Sequence, residues 1–174
     1  MEKTRLNLLK SLEEELKETE GIGEMSLFTA KELSSPVDVL RAEIADFGSD
    51  LKSVLGEFFF LPFEGTEVLY FSTIITLTGV LPREAVPDAV AAVARLNYYL
   101  PCGCYAIGDN DKNLIYRFTM PINAGEDKDK QEAAVSFAAN AAIMVAEKFE
   151  GYLKLVISGE ITVDEMVGMM GKEG

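Results

Sequence analysis

The 174-residue chain contains no histidine. Its absence removes Ser-His-Asp and Cys-His machinery and every histidine-ligated metal site. Cys102 and Cys104 are the only cysteines. On one strand they would point the same way with Gly103 between them, but two thiols are half a tetrahedral zinc set and no second pair exists. Asp109, Asp111 and Asn113 mimic the Asp-x-Asp-x-Asn opening of a calcium loop. The continuation fails, because position six is Leu114 instead of Gly and position twelve is Met120 instead of Glu. The segment reads as a polar hairpin tip. No Gly-rich phosphate loop is present. Glu43 with Glu57 remains as a candidate acid/base pair, although charges on the polar face of a strand are usually solvated. No catalytic, cofactor-binding or metal-binding residue is assigned.

Binding without conversion is better represented. The run Phe58-Phe59-Phe60 lies in a strand, where alternation turns Phe59 away from its two neighbours. At least one large ring therefore needs cover from outside the main core, either a helix on the second sheet face or a partner. Near the C-terminus, Met166, Met169 and Met170 give a short helix a soft, adaptable apolar face. Phe58, Phe59, Phe60, Met166, Met169 and Met170 are the candidate partner-binding residues.

The elements that position these residues follow from periodicity. Leu9, Leu12 and Leu16, widened by Leu8, predict a helix over about 3–20, stopped by Gly21 and Gly23. Residues 24–36 either hold an irregular strand around Met25–Thr29 or cross the surface. Three strands follow, over 37–47, 52–63 and 67–78. Leu40, Ala42 and Ile44 share one face of the first strand, and Leu69, Phe71, Ile75 and Leu77 one face of the third. Short connections favour an antiparallel meander. Gly79-Val80-Leu81-Pro82 breaks the sheet and a helix follows to about Tyr98 with Pro87 in its first turn, and Val86, Val90, Val93 and Leu96 with Leu100 form its stripe. A hairpin over 102–107 and 114–122 comes next. A long helix over about 130–158 presents Val135, Ala138, Ala142, Val145, Phe149, Leu153 and Val156. Thr162 and Glu165 start the last helix as a capping box, with Ile161 and Met166 as its staple. That helix is too short to stand alone. It docks either on its own domain, as a lid over apolar surface, or on a partner.

The expected fold is therefore one α+β domain over residues 1–174. It has an antiparallel five-stranded sheet, a three-strand meander plus a hairpin, in the order α-β-β-β-α-β-β-α-α. Hydrophobic residues make up 48% and charged residues 26%, as in folded soluble domains. The N-terminal stretch lacks the apolar run of a signal peptide, and no segment has the roughly 20 apolar residues of a bilayer span. With its sparse cysteines the chain is expected in a reducing, cytoplasmic setting. A net charge of −13 disfavours nucleic acid and anionic membrane as partners.

The stretch Leu69-Tyr-Phe-Ser-Thr-Ile-Ile-Thr-Leu-Thr-Gly-Val-Leu-Pro82, the helix ending Ala94-Arg-Leu-Asn97, and Tyr105-Ala-Ile ahead of Leu114-Ile-Tyr-Arg-Phe118 together resemble the YbjN family and the wider type III secretion chaperone-like fold. The resemblance covers about two-thirds of the chain in element order. It implies a small acidic α+β protein without enzyme activity or cofactor, often a homodimer, binding a protein client through apolar patches on sheet and helices. The Met-rich last helix departs from it. The alternative is a carboxylate-based enzyme or small-ligand binder with a pocket under the helices.

Replacing Cys102 and Cys104 together by Ser is expected to leave fold and binding largely unchanged. Metal analysis of the purified protein then finds no stoichiometric zinc. One zinc per chain that disappears in the double variant would reverse this reading of the thiols.

Overall fold

The computed structural model describes residues 2–65, 67–108 and 112–171. The first helix, α1 (Glu2–Lys17), is followed by strands β1 (Ile22–Phe28), β2 (Val39–Phe47), β3 (Lys52–Phe60) and β4 (Val68–Val80). Helix α2 (Val86–Leu96), the hairpin strands β5 (Cys104–Ile107) and β6 (Asn113–Asn123), and helices α3 (Lys128–Ile157) and α4 (Val163–Met170) complete the order. The strands form one six-stranded sheet, β1-β2-β3-β4-β6-β5, and every neighbouring pair is antiparallel. The class is α+β, as expected, but the sheet has six strands rather than five and the meander has four rather than three.

The added strand is β1. Gly21, Gly23 and Glu24 break its alternation, and its register on β2 slips between Ile22 and Met25, so pairing with β2 forms it more than its own pattern does. Two local readings shift as well. Helix α2 faces inward with Ala89, Ala92, Val93 and Leu96, whereas Val90 is exposed. The α3 stripe holds Ala146 and Glu150 at full burial, while Val145 and Phe149 are only half-buried. In both helices the inward line follows small residues that allow close approach, and the larger apolar side chains flank it.

Helices α1, α2 and α3 bury their apolar lines against the same sheet face. Leu8, Leu9, Leu12 and Leu16 of α1, with Val135, Ala138 and Ala139 of α3, pack on Leu40, Ala42, Phe58, Phe60, Leu69 and Phe71. Ala92, Val93 and Leu96 of α2, with Ala142, Ala146 and Leu153 of α3, pack on Ile75, Leu77, Tyr105, Leu114 and Tyr116. Each fully buried Leu, Ile or Phe contributes about 1.5–3 kcal/mol. The two tyrosines satisfy their hydroxyls inside this layer: Tyr105 donates to the Ala146 carbonyl at 2.7 Å and Tyr116 to the Cys102 carbonyl at 2.8 Å. Burial pushes both phenols well above their ordinary pKa.

Glu150 is the charged exception in the core. Its Oε1 accepts from the Ser49 backbone N–H at 3.2 Å, and its Oε2 lies 2.9 Å from Lys154 Nζ. Lys154 also pairs with Asp50, whose carboxyl is held well below the usual range by Lys154 and then by Lys52. The β2–β3 turn is thus latched onto α3. Gly48 makes the approach feasible: its φ is +69°, and a Cβ there would sit 1.8 Å from Glu150 Oε1.

The capping box of α4 is formed, with Glu165 N–H donating to Thr162 Oγ1 at 3.2 Å and Thr162 N–H to Glu165 Oε2 at 2.8 Å. The helix docks on its own domain, placing Met166 and Met170 in the cluster under α2 and α3. Met169 points outward, 41% exposed. Met166→Ala is expected to cost about 2–4 kcal/mol in chemical denaturation, and Met169→Ala no more than about 0.5 kcal/mol. Equal, small effects would mean that α4 is not docked in solution.

Candidate functional site

The face of the sheet turned away from the helices is the candidate site. Its residues lie in rows fixed by strand register. One row runs Phe28, Val39, Phe59, Ser72, Thr119, and the next Ser26, Arg41, Glu57, Ile74, Arg117, Cys104. A third runs Glu43, Leu55, Thr76, Ile115, Ala106. Among the described residues, neither of the buried clusters under the helices includes a side chain from the strands' outward alternate positions Phe59, Ile74 or Ile115. These side chains are half-buried by one another, and Leu55 is 39% exposed.

Polar members of the face are paired within it. Arg41 Nε donates to Glu57 Oε1 at 2.9 Å, and its guanidinium carbon lies 5.3 Å from the Phe28 ring centroid. Ser72 and Thr119 hydroxyls meet at 3.0 Å. At one end Phe63, 51% exposed, stands edge-on to Tyr70 with centroids 5.4 Å apart. The result is a mixed face, in which Phe28, Val39, Leu55, Phe59, Ile74 and Ile115 stand among Ser26, Glu43, Thr76, Arg117 and the Arg41–Glu57 pair.

The six candidate residues separate. Phe58 and Phe60 are in the core, their rings 6.4 Å and 5.3 Å from that of Phe71. Phe59 alone of the three is on the open face, as alternation requires. Met166 and Met170 are internal and Met169 is exposed on the helical side, so Phe59 and Met169 are not brought together. Sequence reasoning missed Phe28, Leu55, Ile74 and Ile115, although β-branched and apolar residues at alternate positions carried the signal. It also missed Phe137 and Met144, 67% and 69% exposed on the outer side of α3. Their spacing of seven places them on one helix face, and the nearly unbroken apolar run 133–146 was its signal.

Chemistry finds less support. Glu43 and Glu57 share the open face at diagonal positions, but Arg41 sits opposite Glu57 and neutralises it. Cys102 precedes β5, and Gly103, at φ +66°, turns the chain between the two thiols. The expectation that both point from one strand is therefore corrected: Cys104 is exposed, and Cys102 Sγ lies 3.8 Å from the Tyr116 hydroxyl. Among the described residues no cluster of three or more metal-ligating side chains occurs, and no helix is long and apolar enough to cross a membrane. Asp109 and Asp111 lie outside the described residues. The cleft under α1, lined by Arg5, Leu9, Pro36, Asp38 and Phe60, has about 40 Å³ of room, against the roughly 300–1,000 Å³ of ligand pockets. A groove of about 450 Å³ at the β3–β4 end is lined by Asp50, Lys52 and Lys154, whose charges pair with one another. On the open face itself, Ser26, Phe28, Arg41, Glu43 and Leu55 line a shallow groove of about 210 Å³.

No family model matches the chain, and neither a curated protein nor a solved structure matches it.

Adjacent residues of one strand thus carry opposite roles. Phe58→Ala is expected to cost about 3–5 kcal/mol, and Phe59→Ala less than about 1.5 kcal/mol. Paired urea titrations decide it, and similar losses for both would place Phe59 in a covered core.

Proposed function

We propose that the chain is a non-catalytic protein-binding module, resembling the YbjN and type III secretion chaperone-like proteins, that works as a homodimer and holds a partner through apolar patches. One observation carries this reading: among the described residues no helix packs on the sheet face that holds Phe59, Ile74, Leu55 and Ile115, and Leu55 stays 39% exposed there. Apolar side chains grouped on a sheet face that no helix covers mark an interaction surface. The exposed stripe of Phe137 and Met144 on α3 is a second, smaller patch facing the other way.

Element order supports the same reading. From β2 onward the chain runs as meander, helix, hairpin and long closing helix, the succession that the resemblance implies. The charges lining the groove of about 450 Å³ pair with one another, while Glu20, Asp46, Asn140 and Glu147 line a second groove of about 420 Å³, where the alternative of a carboxylate-based enzyme or small-ligand binder would have its cavity.

The test is capture of binding proteins from cell extract with three baits: the wild-type chain, the Phe59→Asp/Ile74→Asp double variant and the Phe137→Asp/Met144→Asp double variant. The expected outcome is a protein held by the wild type and lost with at least one double variant whose denaturation midpoint is unchanged. A captured set indifferent to both pairs would overturn the assignment of these patches, and a chain that captures no protein would overturn the binding reading.

A further inference from the structure

The geometry points to a further binding site inside the sheet. The fork between β3 and β4 takes an extended peptide segment of another protein, which lies between the two strands and hydrogen-bonds to both. The site shares only Leu55 with the open-face patch, so it stands apart from Phe59, Ile74 and the α3 stripe.

The ladder between the two strands stops early. Its last pair at this end is Leu55 with Thr76, yet β3 runs on to Lys52 and β4 to Val80. Continuing the register would set Val54 on Leu77, Ser53 on Thr78 and Lys52 on Gly79, but among the described residues none of these pairs forms. Antiparallel partners exchange both bonds at every second pair, so roughly two to four ladder bonds are forgone. The groove of about 450 Å³ lies in this gap, with residues 52–55 of β3 on one bank and 76–79 of β4 on the other.

Each bank is held by its outer neighbour, and this keeps the fork open. Strand β3 stays on β2 through Lys52 and Phe47 after a slip beyond Ile44, and Asp50 of that turn pairs with Lys154 of α3. Strand β4 stays on β6 through Val80 and Asn113 after a slip beyond Thr76. There Leu114 N–H donates to Thr78 Oγ1 at 3.1 Å, and Leu81 N–H to the Lys112 carbonyl at 3.1 Å. Closing the fork would disturb these contacts.

The chemistry of the banks selects the guest. Asp50 pairs with Lys52 and Lys154, and Lys154 also with Glu150, so an ionic small molecule finds no free counter-charge. The banks offer main-chain N–H and C=O groups from two sides, repeating at about 3.4 Å per residue. An extended polypeptide answers both sides with the same repeat. The open length suits a guest of about three to four residues. Leu51 and Val80, both exposed, flank the mouth and favour an apolar residue where the guest enters. The β5 edge is a poorer host: Asn97 Nδ2 donates to the Tyr105 carbonyl at 3.0 Å, and Asn97 Oδ1 accepts from the Tyr105 N–H at 2.8 Å.

The probes are acetylated, amidated hexapeptides in which Thr alternates with Val, Phe or Lys. Each is paired with two copies, N-methylated at the odd or at the even residues, which keep the side chains and lose N–H groups. A guest inside the fork uses both of its edges, so both copies are expected to bind the full chain about tenfold more weakly; a strand added at a sheet edge would suffer from only one. The Val or Phe peptide is expected to slow amide exchange at residues 52–54 and 77–79 about tenfold or more. A Cβ at Gly79 meets no atom within 4 Å, so Gly79→Phe is expected to fill the space and weaken the same peptide about tenfold at an unchanged denaturation midpoint. If that variant does not fold, the exchange map of the wild type decides alone. Protection confined to β1 or β5, indifference to methylation, or no binding of any peptide up to about 1 mM would each overturn the fork as a peptide site. Phe59→Asp/Ile74→Asp is expected to leave peptide binding unchanged, so the fork and the patches tested by capture fail separately.

Discussion

The structure depends on the burial of one side of β4. Leu69, Phe71, Ile75 and Leu77 must leave water together, and β4 pairs with β3 on one flank and β6 on the other. Its register therefore sets which side chains of β2, β3, β5 and β6 share the buried face. A one-residue slip would send all four to the opposite face. The helices follow from this, since each has its own apolar line and the buried side of β4 is the nucleus against which the lines can be hidden together.

Helix α3 carries most of that cover. Its 30 residues span about 45 Å, reaching from the α1 side of the core to the α2 and α4 side. Alanines at 138, 139, 142 and 146 let it lie close to the sheet. Glu150 contributes differently, by fixing the β2–β3 turn through Ser49 and Lys154. A buried carboxylate is tolerable there because both oxygens are engaged, one by a backbone N–H and one by an ammonium.

Much of this was legible in the sequence, for local reasons. The α1 stripe, the alternation of β4 and the α4 capping box are each written within a few residues, and each formed. Strand β1 was legible only as one of two alternatives, because Gly21 and Gly23 erase its alternation and its existence depends on β2. The rotations of α2 and α3 were hidden for a different reason. Periodicity weights large apolar residues such as Val90 and Phe149, whereas close packing selects alanine. Glu150 could not be read at all, since its partner Ser49 lies 101 positions away. The candidate site was half legible: alternation exposed Phe59, but which face the helices would choose is a property of the whole assembly.

That choice explains why a face is left over. Helices pack about 8–10 Å apart, so α1, α3 and α2 side by side cover about 30 Å. Six strands at about 4.8 Å spacing are of similar breadth. One layer of helices is thus enough to roof one face, and α4 goes to the α2–α3 end of that same roof. No long helix remains for the second face. A chain content with water on that side would place Thr, Lys and Glu at its alternate strand positions, as one-sided antiparallel sheets do. This chain mixes the two, placing Phe28, Val39, Phe59, Tyr70, Ile74 and Ile115 there beside Ser26, Glu43, Ser72, Thr76, Arg117 and Thr119, and it ties its central arginine to Glu57. The face left over by the helices is thus half apolar and half polar, with Val39 and Ser72 already buried within it and Leu55 the most exposed of its large apolar side chains in the central rows.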